Sequence, residues 1–375
     1  MPLSRPVVVL MAASSPWSQL VVEYLTRSGF SIHVVDFNPP PGTNPELAAR
    51  SVATLRTKVA SLHMNYTPST FSWRVLVGAW KLRALARECD AQMVLALYGG
   101  IQAAIACLSG VRPYGVYVVG SDVLLADPIR RLISRVSMRR ASTVLANGRY
   151  LADKTRELAP DVRIEPLYFG IDLDRFQPPP VPNRGHRFVC SRAFHEVYDN
   201  GTIVRALTAL KVVPPDFALS FLSSGPLLDE TIELADRMLA PAMRKGLSFA
   251  GGVSDTEVVA ALRSATFYLS ASLSDGASAS LLEAMACGLI PIVSDIPANR
   301  EWINDRENGL LFTPGDHLAL ARCIEVAMDG GSWIASAIAT NYRMVAERAN
   351  ADVNLQRLSQ VILRDCARHS TAQAH

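Results

Sequence analysis

Apolar runs without internal alternation recur through the first half of the chain, each followed by a stretch with helical spacing. VVVLMA (residues 7–12), SIHVVDF, MVLALY, GVYVVG, STVLANG and RIEPLYF are strand candidates, with helices expected over residues 17–27 and 80–87. Continuous apolar strands alternating with helices are the mark of a parallel sheet covered on both faces. The alternation restarts with RFVCSR at residue 187, then FALSFLS, LSFAGG, TFYLSAS and IPIVSD, with helices over 201–211 and 280–286 among those between. Between the two series lies QPPPVPN, residues 177–183, whose prolines continue neither a helix nor a central strand. After residue 333 the pattern is helical and amphipathic, with no strand left to pair. The expected architecture is α/β with two Rossmann-like domains, residues 1–178 and 185–345, followed by a helical segment 346–375. Ligands of such open sheets bind outside the carboxyl ends of the strands, in the cleft where the domains face each other.

Composition narrows this picture little. A chain of 375 residues with 49% hydrophobic and 19% charged residues is large enough for two cores. A net charge of +3 and a pI near 8.5 fall short of a nucleic-acid binder and fit an anionic small molecule or an anionic membrane surface. The six cysteines form no CxxC pair, so neither zinc nor a disulfide framework is expected, and a reducing, cytoplasmic setting is favoured. At the start of the chain, Pro6 and the run VVVLM favour a first strand over a signal peptide. Residues 93–111 carry no charge over a bilayer-spanning length, but Gly99-Gly100 breaks them into strand, turn and helix.

The chemistry concentrates in residues 270–316, SASLSDGASASLLEAMACGLIPIVSDIPANREWINDRENGLLFTPGD. A strand ends near Ala271, Asp275-Gly276 turns the chain, and the small residues Ala277, Ser278, Ala279 and Ser280 lead into a helix. A helix start offers free N–H groups and a partial positive charge, which suits a diphosphate. Glu283 faces the same ligand as Asp275. One carboxylate can take hydrogen bonds from sugar hydroxyls, the other from a ribose diol.

This segment resembles the retaining glycosyltransferases of the GT-B fold, family 4 (glycosyl transferases group 1). The marks are an acidic pair at the spacing of Asp275 and Glu283, then EAMACG, IPIVSD, NREWI and ENGLLF in order. GSDVLL at Gly120 and YFGIDLDRF at Tyr168 extend the likeness through most of the chain. The resemblance implies a C-terminal helix crossing back to the first domain and a nucleotide-diphosphate sugar, UDP- or GDP-linked, as donor. By it, Glu283 holds the ribose, Asp275 the sugar ring, and the turn and amides of Gly276 to Ser280 the diphosphate. Arg192 is expected on the diphosphate. The reaction is expected to need no metal and no cofactor beyond the donor. A glycan, a lipid-linked molecule or a small molecule would be the acceptor.

The sequence departs from the family in four places, the first being Asp275, where the acidic pair more usually begins with Glu. Val197 stands where a Lys is usual on the diphosphate, with His195 as a speculative substitute. Val119 replaces a His near the donor sugar, leaving Asp122 as a catalytic candidate or merely a helix N-cap. Ala12-Ala13-Ser14 replaces a Gly pair near the phosphates, which gives Ser14 a donor or acceptor role. Asp172-Leu173-Asp174 looks like a metal-binding DxD but falls in the interdomain segment, where it is read as structural. Asp36 lacks the GxGxxG of a dinucleotide site. A 2-epimerase of the same fold and a non-catalytic sugar-nucleotide-binding subunit remain as alternatives. Residues 128–140, PIRRLISRVSMRR, read either as a helix packed on the core or as a basic face resting on anionic lipid.

Overall fold

The computed structural model describes residues 7–11, 16–35, 53, 56–63, 73–124, 127–181, 183 and 185–373. The chain divides into two compact units, Met1–Phe169 with Asp352–His375, and Gly170–Ala351.

In the first unit the strands are β1 (Val7–Met11), β2 (Ser31–Val35), β3 (Ser61–His63), β4 (Met93–Leu97), β5 (Tyr114–Val118), β6 (Thr143–Ala146) and β7 (Ile164–Pro166). They form one parallel sheet in the order β3-β2-β1-β4-β5-β6-β7. The helices are α1 (Pro16–Arg27), α2 (Arg74–Glu88), α3 (Ile101–Ser109), α4 (Ser121–Leu124), α5 (Pro128–Arg139) and α6 (Arg149–Leu158). From β3 onward, successive crossovers run the same way along the sheet. Right-handed connections therefore put α2, α3, α5 and α6 on one face, where they share one apolar core with the sheet.

The charge-free stretch 93–111 resolves into the fully buried β4, a turn at Tyr98 (φ 94°), and α3, closed by Gly110 in the left-handed region. No helix among the described residues is long and apolar enough to cross a membrane.

The second unit holds β8 (Arg187–Cys190), β9 (Ala218–Phe221), β10 (Leu247–Phe249), β11 (Phe267–Ser270), β12 (Ile290–Ser294) and β13 (Leu310–Phe312), ordered β10-β9-β8-β11-β12-β13 and all parallel. Its helices are α7 (Asn200–Leu207), α8 (Leu228–Met238), α9 (Pro241–Lys245), α10 (Asp255–Ser264), α11 (Ala279–Ala286), α12 (Pro297–Arg300), α13 (His317–Asp329) and α14 (Trp333–Arg348). The strand order reverses at β8 and β11, which pair through Phe267 with Phe188 and Tyr268 with Val189. Loops leaving two neighbouring strands toward opposite sides open a crevice there, the usual ligand position in such sheets.

The division between the units lies at Phe169 and Gly170, ahead of the proline cluster. Ile171 bridges to Asn350 and exchanges backbone hydrogen bonds with Ala349 and Ala351, which ties the segment before the prolines to the second unit. A Cβ at Gly170 would stand 2.5 Å from the Ala351 Cα, so only glycine permits this approach. The last helix, α15 (Ala351–Gln373), buries Leu355, Leu358 and Ile362, and from Asp352 onward it belongs to the first unit. Cys366 donates to the Gln92 carbonyl there, and Arg364 pairs with Glu165.

Candidate active site

The candidate site residues of the second unit gather at the crevice between β8 and β11. Two residues past β8, Arg192 is nearly buried, and its Nη2 donates to Asp275 Oδ2 at 2.6 Å. Its Nη1 reaches the hydroxyls of Ser278 and Ser280 at 3.1 and 3.2 Å. The Tyr198 ring lies under the guanidinium, 3.9 Å from its centroid, an arrangement that stabilises a cation. Tyr268, buried on β11, donates its hydroxyl to Ser280 at 2.7 Å. Burial opposes the charge on Arg192, but the Asp275 carboxylate and the neighbouring tyrosines outweigh it, and the guanidinium pKa is raised.

The Arg192 loop is fixed from three directions. Asn200, at the start of α7, donates its side-chain amide to the carbonyls of Arg192 and Ala193. Leu273, in the loop after β11, donates its N–H to the Val197 carbonyl at 2.8 Å. Phe194 exchanges backbone bonds with Ser224 and Leu227, which flank Gly225. A Cβ on Gly225 would come within 2.6 Å of the Phe194 carbonyl oxygen.

On the opposite side Ser278 caps α11, its Oγ accepting from the Leu281 N–H. Ala279 and Ser280 occupy the first two positions of this helix, where N–H groups have no intrahelical acceptor. Gly276 donates its N–H to Asp275 Oδ1 at 2.8 Å, and Ala277 is partly exposed. The carboxylate of Glu283, the fifth residue of α11, makes no hydrogen bond or ion pair among the described residues. Burial pushes its carboxyl up to about 7, with Arg175 and Arg192 pulling it down and Asp255 adding to the rise.

The structure thus brings together Arg192, Asp275, Gly276, Ala277, Ser278, Ala279, Ser280 and Glu283. It joins Arg192 and Asp275 in one ion pair, where the sequence reading had assigned them separate parts of the ligand. Tyr198, Tyr268, Asn200 and Gly225 were missed. For Tyr198 and Asn200 the signal lay within SRAFHEVYDNG, and for Gly225 in the SSGP after β9. His195 is exposed beside a surface cavity; its carbonyl accepts from the Tyr198 N–H, but its imidazole makes no hydrogen bond to the Arg192 cluster.

Asp122 lies in the first unit, where its carboxylate accepts the N–H groups of Gly99, Gly120 and Val119 at 2.5, 2.7 and 3.2 Å. It ties the turn after β5 to the turn after β4. Desolvation raises its pKa, and those hydrogen bonds oppose the rise. Ser14 and Asp36 lie outside the described residues. Asp172 accepts the N–H groups of Asp174 and Arg175, a local turn. No group of three or more His, Cys, Asp or Glu that could hold a metal occurs among the described residues.

Residues 186–329, which contain this whole cluster, match the family model described as Glycosyl transferases group 1. A 123-residue stretch is 32% identical to the "Putative glycosyltransferase EpsD" of Bacillus subtilis (strain 168). It covers 33% of this chain and spans about a third, 31%, of that relative. Among solved structures, Anabaena HepE in complex with UDP-glucose is similar over 96% of this chain and 99% of its own, with TM-score 0.77 and 15% identity. Sucrose-phosphate synthase from Thermosynechococcus elongatus is similar over 96% and 99%, with TM-score 0.76 and 14% identity. The chain therefore has the two-unit α/β fold of these GT-B glycosyltransferases, and its second unit carries the group 1 match.

Proposed function

We propose that the chain is a retaining, metal-independent glycosyltransferase of family 4. It moves a sugar from a nucleotide-diphosphate donor to a glycan, lipid-linked or small-molecule acceptor. The observation that carries this is the pairing of a cation with free helix-start amides beside an unpartnered carboxylate. Arg192 and the N–H groups of Ala279 and Ser280 supply positive potential for a diphosphate, and Glu283 stands one helical turn further on for a ribose diol. The solved structures of HepE hold UDP, UDP with glucose, or UDP-glucose, which supports a uridine diphosphate donor.

The ion pair gives the donor two handles. A diphosphate competes with Asp275 for the Arg192 fork, and the carboxylate so released can accept a sugar hydroxyl. As the glycosidic bond breaks, charge grows on the leaving diphosphate, and preorganised donors act most strongly on that developing charge. Retention implies attack from the face the diphosphate leaves, with the departing phosphate taking the acceptor proton.

A thermal-shift screen of UDP-, GDP- and dTDP-sugars should give one stabilising donor. Glu283→Ala should weaken its binding by a factor of about 10 to 150, the loss of charge-assisted hydrogen bonds worth about 1.5–3 kcal/mol. Donor turnover should continue in EDTA, and the product anomer should keep the donor's configuration by NMR. Unchanged affinity in Glu283→Ala would remove that residue from the site. Loss of turnover in EDTA with recovery on Mg²⁺ would overturn the metal-free reading.

A further inference from the structure

The helical face of the first unit carries apolar side chains on its outside. Helix α2 turns Val75, Ala79, Leu82 and Leu85 into the core, yet Trp73 and Trp80 are 73% and 70% exposed and Leu76 is 62% exposed. Their spacing places them on one outer stripe, which Arg83 and Arg87 continue. Helix α5 repeats the arrangement. Its inward face is Ser134, Ser137 and Met138, with Ile133 packed against the same core, while Ile129, Leu132 and Val136 are 70%, 61% and 43% exposed. Of the apolar residues that the sequence reading placed on one core-packed face, Ile133 and Met138 meet the core, while Ile129, Leu132 and Val136 face outward. Helix α3 packs against α2 on one side and α5 on the other, so both stripes belong to the same layer.

Charge decides what this face fits. Arg83, Arg87, Arg131 and Arg140 have no carboxylate partner among the described residues, whereas Arg130 and Arg139 are paired with Asp127 and Asp161. Exposed tryptophans on helices flanked by unpaired arginines suit the boundary between lipid headgroups and acyl chains. A second copy of this face would bring like charges together. We propose that the outer faces of α2 and α5 form a docking surface for an anionic lipid bilayer, on which the whole protein lies without spanning it. The surface stands independently of the sugar-transfer reading.

Cosedimentation of the full chain with vesicles of phosphatidylcholine, alone or with 30% phosphatidylglycerol, tests this. Strong partition is expected only with the anionic vesicles, falling as salt rises. Trp73→Ser with Trp80→Ser should lower it at least tenfold, as should Arg83→Ser with Arg87→Ser, while circular dichroism and donor affinity stay unchanged. In the wild type, brominated acyl chains should quench tryptophan emission, a readout that needs no variant. Equal pelleting of the tryptophan variant, or no quenching, would overturn the proposal. So would a wild-type dimer in sedimentation velocity that the tryptophan variant dissolves, since the face would then be covered by a second copy.

Discussion

Glu283 is the residue whose chemistry is most exposed to test, because its carboxyl sits at about 7 in a site expected to need it ionised. The cause is burial without a partner, so the protonated form is favoured until a ligand supplies donors. The folded protein then holds a proton between about pH 4.5 and 7 that the unfolded chain has lost. Its contribution to stability is therefore present at acid pH and declines as pH rises through this window. In the proposed role, donor binding should have the opposite slope, because ribose hydroxyls would donate to the ionised form. In calorimetric titrations, affinity for the sugar-nucleotide should strengthen by up to tenfold per pH unit from 5.5 to 7 and then level off. Glu283→Gln should bind more weakly with a flat profile, and its thermal stability should lack the decline toward pH 7. A wild-type affinity that does not change over this range would show that Glu283 is not the group being ionised.

At the scale of elements, the strands were legible because parallel strands buried on both faces leave long apolar runs. β3 and β13 were not, although β7 and β10, edge strands of the same three residues, were, so strand length alone does not decide legibility. The acidic pair was legible from the motif and the helix start after β11 from its small residues. The Arg192–Asp275 pair was not, because it depends on β8 and β11 becoming neighbours, a fact of topology that local pattern does not encode. Asp122 shows the reverse case, a candidate catalytic group whose lone pairs are taken up by three backbone amides of two turns. Gly225 extends the topological argument. Its loop after β9 presses on Phe194 and so fixes the backbone that presents Arg192. Gly225→Ala forces a Cβ against backbone, not a yielding side chain, so the Arg192 loop must move. Turnover should fall at least tenfold, with ribose-dependent affinity for the free nucleoside reduced far less. If turnover is normal, the loop tolerates displacement and Arg192 is not held by this contact.

At the scale of the whole molecule, the two sheets have separate apolar cores, one drawn from residues between Val9 and Ile164 and the other from residues between Phe188 and Ala337. Among the described residues the two cores share no residue, so each unit has its own basis for cooperative unfolding. The Arg192–Asp275–Glu283 cluster lies wholly in the second. A ligand that binds only the folded second unit stabilises that unit by mass action, about 2.7 kcal/mol at a hundredfold excess over its dissociation constant. Differential scanning calorimetry should accordingly resolve two transitions, with saturating donor raising one of them by several degrees and leaving the other in place. The last helix provides the converse perturbation, since its buried Leu355, Leu358 and Ile362 serve the first unit. Leu358→Ala should lower the donor-insensitive transition, because removing a buried leucine side chain costs about 2–5 kcal/mol. Donor affinity in that variant should match the wild type. If both transitions moved together with either perturbation, the two cores would be unfolding as one cooperative body, and the stabilisation by donor could no longer be assigned to the second unit alone.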